Sequence, residues 1–145
     1  MGVDEVDLGQ FDNLTVTDFA SGCCMLVKKA VFEKVGYFDE KYFLYYEDAD
    51  LSFRAKKNGF GIYYQPKGVI WHINAGSAGG SGSFLQDYYI TRNRILFGSL
   101  YASSRTKFAL FRESIRLALF GRKWQKKGVF DYYLGKFGKI GRAHV

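Results

Sequence analysis

The most reactive-looking stretch of the chain is Tyr45-Tyr46-Glu47-Asp48-Ala49-Asp50, three carboxylates in four residues behind an aromatic run. A carboxylate that is partly desolvated in a cleft can take a proton from a hydroxyl as a general base. The same residues also read as the acidic first turn of a helix, complementing its dipole and capping it. The two readings pull a carboxylate's basicity in opposite directions: a helix N-terminus stabilises the anion, and aromatic burial opposes it. His72 follows Trp71 at the end of an apolar run, where it reads either as a packed histidine or as one ligand of a divalent metal. Arg92-Asn93-Arg94 is suited to a phosphate or a sugar, or to a solvated helix face. Residues 74–83, NAGSAGGSGS, lack the Lys-Ser/Thr ending of a P-loop and read as a flexible connector or a lid.

Elements must hold these groups in place. Phe19–Val27 predicts a buried strand, and residues 1–18 an irregular lead-in. Lys28–Val35 predicts a short helix stopped by Gly36. Glu47–Asn58 is the clearest helix, with acids first, Arg54, Lys56 and Lys57 last, and Gly59 after them. Phe60–Tyr64 and Val69–Ile73 predict two strands about the turn Gln65-Pro66-Lys67-Gly68. Residues 84–102 and 105–126 carry helical periodicity. In the second, Arg105, Arg112, Arg116 and Lys123 share one face beside Phe108, Phe111, Ile115 and Leu119.

Composition bounds the answer. The chain has 145 residues, 48% apolar and 24% charged, which fits one globular domain and excludes a disordered tail or a disulfide miniprotein. Its 14 Phe, 11 Tyr and 2 Trp are large rings to bury or to offer a ligand. The net charge of +7 is local: residues 105–127 hold eight basic residues and one acid, and the rest of the chain holds thirteen of each. Such a block suits an anionic partner, and its apolar flank suits a helix lying in a membrane interface. No RNA-binding signature accompanies it, so a nucleic-acid partner is not expected. No run approaches the ~18 apolar residues of a membrane span. The adjacent Cys23 and Cys24 fit a reducing compartment.

Taken in order, several pieces resemble the C-terminal half of family 2 glycosyltransferases of the GT-A fold, nearest the rhamnosyltransferase-like bacterial branch. They are Ser21-Gly22, Met25 to Lys29, Val35 to Glu40, Phe43 with Glu47 to Leu51 and Arg54, Asn58-Gly59-Phe60, Trp71-His72, and Tyr88-Tyr89 with Arg92-Asn93. The resemblance implies an α/β chain, the acceptor-side half of a GT-A fold over residues 1–103, with a basic helical extension over 104–145. It implies inverting transfer from a nucleotide-sugar donor to a glycan or lipid-linked acceptor in cell-surface polysaccharide synthesis. Asp48 would be the catalytic base. Glu47, Trp71, Arg92 and Asn93 would serve the acceptor, and His72 a Mg2+ or Mn2+ ion. The family's nucleotide-binding half and its Asp-x-Asp motif would lie upstream, so the chain alone is expected to be inactive and to self-associate through apolar edges. Its expected place is the cytoplasm, peripheral at the inner face of the cell membrane, against anionic lipid. The alternative is a non-catalytic module that binds a membrane surface or a polyanion.

Overall fold

A computed structural model describes residues 5–71 and 83–141, which are mostly helical with one small sheet. The order is β1 (Thr15–Val16), α1 (Lys29–Val35), α2 (Glu47–Lys57), β2 (Tyr63–Tyr64), α3 (Phe84–Tyr101), α4 (Ser104–Phe120) and α5 (Lys123–Tyr133). The sheet is a two-residue antiparallel ladder pairing Thr15 with Tyr64 and Val16 with Tyr63. Thr17 N–H donates to the Ile62 carbonyl at 2.9 Å and extends it by one bond.

β2 falls within the expected strand Phe60–Tyr64, and the structure corrects the other expected strand positions in three places. Phe19–Val27 is irregular, with a turn at 22–24 and Leu26 fully exposed. Val69, Ile70 and Trp71 form no strand and stand exposed. The polar lead-in instead supplies β1. An apolar run becomes a strand only where a neighbour accepts its ladder hydrogen bonds, and among the described residues these runs meet none.

The helices follow their local signals. α1 ends where Gly36 takes φ 79° and its N–H bonds the Phe32 carbonyl at 2.8 Å. α2 has Glu47, Asp48 and Asp50 in its first turn and Arg54, Lys56 and Lys57 in its last, the order the dipole favours. α3 begins at Ser83, whose hydroxyl accepts the Gln86 N–H at 3.3 Å.

α3 is the core. Tyr88, Tyr89, Ile95 and Leu96 are buried, together with Asp87, Thr91, Arg92 and Asn93. It packs most broadly on α5. Gly128 permits that approach, since a Cβ there would lie 2.7 Å from the Tyr88 carbonyl oxygen. Tyr88 Oη donates to the buried Asp131 carboxylate at 2.8 Å across the same interface. α4 crosses α3 where Gly98 leaves room for the Leu110 side chain.

The single helix expected over 105–126 is two helices. α4 ends at Phe120, and α5 restarts at Lys123. At the break, the Gly121 N–H bonds the Leu117 carbonyl at 2.9 Å. The Arg122 guanidinium then pairs with Asp87 on α3, Nε to Oδ2 at 2.6 Å. The Arg122 N–H also donates to Gln125 Oε1 at 2.9 Å, and the ion pair fastens the start of α5 to α3, with Lys123 off the α4 stripe.

Candidate functional site

The carboxylate cluster opens α2, and its approach is strained. Phe43, Tyr45 and Tyr46 have φ of 62°, 65° and 75°, a region that costs residues with a Cβ of order 1–3 kcal/mol each. Tyr46, the residue before the helix, is one of them, and no side chain caps the helix start. The compensation comes from α3.

Asn93 Nδ2 donates to the carbonyls of Tyr42, Leu44 and Tyr45 at 2.9, 2.8 and 2.8 Å. Arg92 Nη2 donates to the Lys41 and Tyr42 carbonyls at 2.8 and 2.9 Å. Its Nη1 reaches the Gly138 carbonyl at 2.8 Å, and its Nε the Asn93 Oδ1 at 2.9 Å. Both side chains are 0% exposed. The Arg92 charge lies against carbonyl dipoles and near the Tyr88 and Tyr89 rings, 5.3 and 5.0 Å from their centroids. Two residues expected at an acceptor thus have their polar atoms engaged with main chain and with each other. Arg94, the third residue of that triplet, is exposed and bonds Glu113 of α4 at 3.0 Å.

The three carboxylates have three different surroundings. Asp50 is 1% exposed and accepts from Arg54 Nε at 2.7 Å, Tyr101 Oη at 2.6 Å and Tyr42 Oη at 3.4 Å. Burial, with the Asp50 charge beside it, pushes the Tyr101 hydroxyl up to about 12 and the Tyr42 hydroxyl further still. Arg54 also donates to the Tyr37 carbonyl at 2.9 Å, which ties the exit of α1 to α2. Asp50 is therefore a packing node.

Asp48 is half-buried. Its Oδ2 accepts the Gly22 N–H at 2.8 Å, and its Oδ1 the Ala49 N–H at 2.8 Å. The Ala20 N–H bonds Ser52 Oγ one turn further along α2 at 3.2 Å, so the 20–22 segment lies along the start of the helix. Glu47 Oε2 is buried and has no hydrogen-bond partner among the described residues. Burial raises the Glu47 carboxyl above the usual glutamate range, and the Asp48 charge adds to this. The site therefore pairs a desolvated carboxyl that holds a proton more tightly with an anchored, partly open carboxylate.

Trp71 is 97% exposed, and no described contact joins it to the cluster. His72 and residues 74–82 of the glycine-serine segment lie outside the described residues. Among the described residues no group of three or more His, Cys, Asp or Glu could hold a metal. Asp50 is taken up by three donors, and Asp48 by backbone N–H groups. The described residues therefore do not form a site for Mg2+ or Mn2+.

Sequence reading missed the inward role of Arg92 and Asn93, the two tyrosines on Asp50, and the C-terminal segment. The Gly138 N–H donates to the Lys41 carbonyl at 2.9 Å and the Ile140 N–H to Tyr89 Oη at 2.8 Å, so residues 138–140 lie along the strained approach. One signal for the first was present. Tyr88 and Tyr89 one turn before, and Ile95 and Leu96 one turn after, put Arg92 and Asn93 on an apolar face.

The family model described as "Glycosyltransferase like family 2" matches residues 3–97, about two thirds of the chain, and the chain belongs to that family. Among curated proteins it is 46% identical over 59 residues to the N-acetylglucosaminyl-diphospho-decaprenol L-rhamnosyltransferase of Mycobacterium tuberculosis, covering 41% of this chain and 19% of that protein. It is 39% identical over 54 residues to the low-salt glycan biosynthesis hexosyltransferase Agl10 of Haloferax volcanii, covering 37% and 18%. It is 42% identical over 52 residues to the rhamnosyltransferase WbbL of Escherichia coli, covering 36% and 20%. The matched segment thus spans about a fifth of the length of these relatives. No solved structure matches the chain.

Proposed function

We propose that the chain is the acceptor-side part of an inverting glycosyltransferase of GT-A type, with Asp48 as its base. The acceptor hydroxyl oxygen bonds to the anomeric carbon of a nucleotide sugar as the carbon–oxygen bond to the diphosphate breaks. The hydroxyl proton passes to the Asp48 carboxylate, and the nucleoside diphosphate leaves. Attack opposite the leaving group inverts the anomeric centre. The observation that carries this reading is the half-buried Glu47–Asp48 pair at the end of a strained approach held by α3.

Glu47 and Trp71 are assigned to acceptor binding. Arg92 and Asn93 serve the acceptor indirectly, as positioning residues that hold the backbone just before Glu47. A divalent ion, Mg2+ or Mn2+, with His72 among its ligands, would offset charge on the departing diphosphate. The acceptor is a glycan or a lipid-linked sugar in surface-polysaccharide synthesis, and a lipid-linked one would be met at the inner face of the cell membrane. Residues 1–103 form the transferase part and 104–145 the helical extension. Alone, the chain is expected to be inactive and to self-associate through exposed residues such as Leu8, Leu26 and Trp71.

A second reading exchanges the two carboxylates and makes Glu47 the base. It is favoured by the buried Glu47 Oε2, which has no hydrogen-bond partner among the described residues, and by the raised carboxyl.

Nucleoside-diphosphate release from a panel of sugar nucleotides, with Mg2+ and with Mn2+, tests both. The chain is assayed beside a version extended upstream along its gene, each with Asp48→Asn and Glu47→Gln. Release by the extended version that dies in Asp48→Asn supports the first reading. Release that survives Asp48→Asn and dies in Glu47→Gln supports the second. No release that depends on either carboxylate, with candidate acceptors present, overturns both.

A further inference from the structure

We infer that the outer face of α4 is a docking surface for an anionic lipid bilayer. At 3.6 residues per turn, Phe108, Phe111, Ile115 and Leu119 form one stripe along the helix. Those four side chains are between 46% and 63% exposed, and Phe120 at the helix end is 83% exposed. The opposite face packs inward: Ser114 is buried, and Leu110 and Leu117 are half-buried. The helix is therefore apolar on two sides, and only one has a partner among the described residues.

The rim of the outer stripe is cationic on both edges. Arg105, Arg112 and Arg116 line one edge and Lys107 the other, all exposed. Among the described residues none of the four forms an ion pair. The one acid of the helix, Glu113, turns away to Arg94 at 3.0 Å. Basic residues past the helix break are differently employed. Arg122 pairs with Asp87, Lys127 with Asp131 at 2.9 Å, and Lys126 bonds the Leu119 carbonyl at 2.8 Å. Much of the basic block is thus internally engaged beyond the break, and on α4 it faces outward.

An apolar stripe between two cationic edges matches the boundary between acyl chains and anionic headgroups. The phenylalanines and aliphatic residues enter the acyl region, and the arginines and lysine meet lipid phosphates. A second copy of this chain fits poorly. Two such faces would bring eight cations together with no acid between them. A nucleic acid would meet aliphatic side chains at the centre of the surface. No helix among the described residues is long and apolar enough to cross a membrane, so α4 lies along the surface.

Co-sedimentation of the 145-residue chain with vesicles of phosphatidylcholine, with and without phosphatidylglycerol, tests this independently of any transferase activity. Binding is expected only with phosphatidylglycerol and should weaken as sodium chloride rises. Arg112→Ala/Arg116→Ala should lower partitioning about 30-fold, taking about 1 kcal/mol for each basic side chain at an anionic surface. Phe108→Ser/Phe111→Ser should lower it while leaving circular dichroism and the melting temperature unchanged. Three outcomes overturn the assignment: equal binding to both vesicle types, binding indifferent to both double variants, or no binding to either vesicle type, in which case heparin binding or a dimer that Phe108→Ser/Phe111→Ser dissolves names the occupant instead.

Discussion

Arg92 on α3 and Arg112 on α4 belong to the same residue type, lie twenty positions apart and have opposite fates. Arg92 is wholly buried, and its guanidinium is spent on main-chain carbonyls and Asn93. Arg112 stands exposed at the edge of an apolar stripe. The inner region stores strain in Phe43, Tyr45 and Tyr46 and offsets it with buried hydrogen bonds. The outer region leaves apolar area in water and offsets it with nothing inside the described chain. Strain held by a buried network marks a place where backbone position matters; unsatisfied surface marks a place where something else completes the structure.

The sharpest test of the contrast is catalytic. In the upstream-extended enzyme, Asp48→Asn should lower the rate of nucleoside-diphosphate release by about 10²–10⁴-fold, the usual worth of a general base. Arg112→Ala should leave the rate unchanged with a soluble acceptor. Equal losses would erase the distinction between the regions.

Stability comes next. Asn93→Ala removes the side-chain donor from the Leu44 and Tyr45 carbonyls, Tyr42 keeping its bond from Arg92, and Arg92→Ala removes the donor from the Gly138 carbonyl and leaves a cavity. Each should cost about 3 kcal/mol or more in urea unfolding. Arg112→Ala should fall within about 0.5 kcal/mol of the parent. A loss below about 1 kcal/mol for Arg92→Ala would show that the inner network does not hold the approach to α2. A smaller effect tests the α3–α5 seam. Gly128→Ala forces a Cβ toward the Tyr88 carbonyl and should cost about 1–3 kcal/mol, read as a shifted urea midpoint with an unchanged slope.

The smallest effect concerns pH. Burial keeps the Glu47 carboxyl above its unfolded value, so the folded protein binds a proton more tightly there. Above the folded pKa the charged, desolvated Glu47 destabilises the fold. That penalty fades as pH falls through the window between folded and unfolded values. Glu47→Gln should therefore melt higher than the parent at neutral and alkaline pH, and the gap should close below the ordinary glutamate range. A gap that widens on acidification would contradict a desolvated Glu47.

Local chemistry made much of the chain legible. The stop at Gly36, the charge order of α2, the Ser83 start of α3 and the outer stripe of α4 are written in near neighbours along the chain. The carboxylates that open α2, and the family they point to, were legible in the same way. The strands were legible only in part. The run Phe60–Tyr64 contains β2, but Phe19–Val27 and residues 69–71 have strand-like composition without forming a strand, because a strand is completed by a partner elsewhere and Tyr63–Tyr64 pairs with Thr15–Val16 of the polar lead-in. The break at Gly121 was not read from the sequence; there the Arg122 N–H is capped by Gln125 three residues on, and its side chain pairs with Asp87, 35 residues earlier.

By itself the sequence determined where α1, α2 and α3 begin and end, which residues carry charge, and that three acids stand at the head of α2. The tertiary structure decided which acid is which: Asp50 locked by Tyr42, Tyr101 and Arg54, Asp48 anchored by Gly22, Glu47 desolvated. It also decided that Arg92 and Asn93 turn inward to the approach of α2 and that Arg112 turns outward. The reason is physical. Helix signals act within a turn or two, whereas burial, desolvation and the partner of a buried donor depend on segments that only folding brings together.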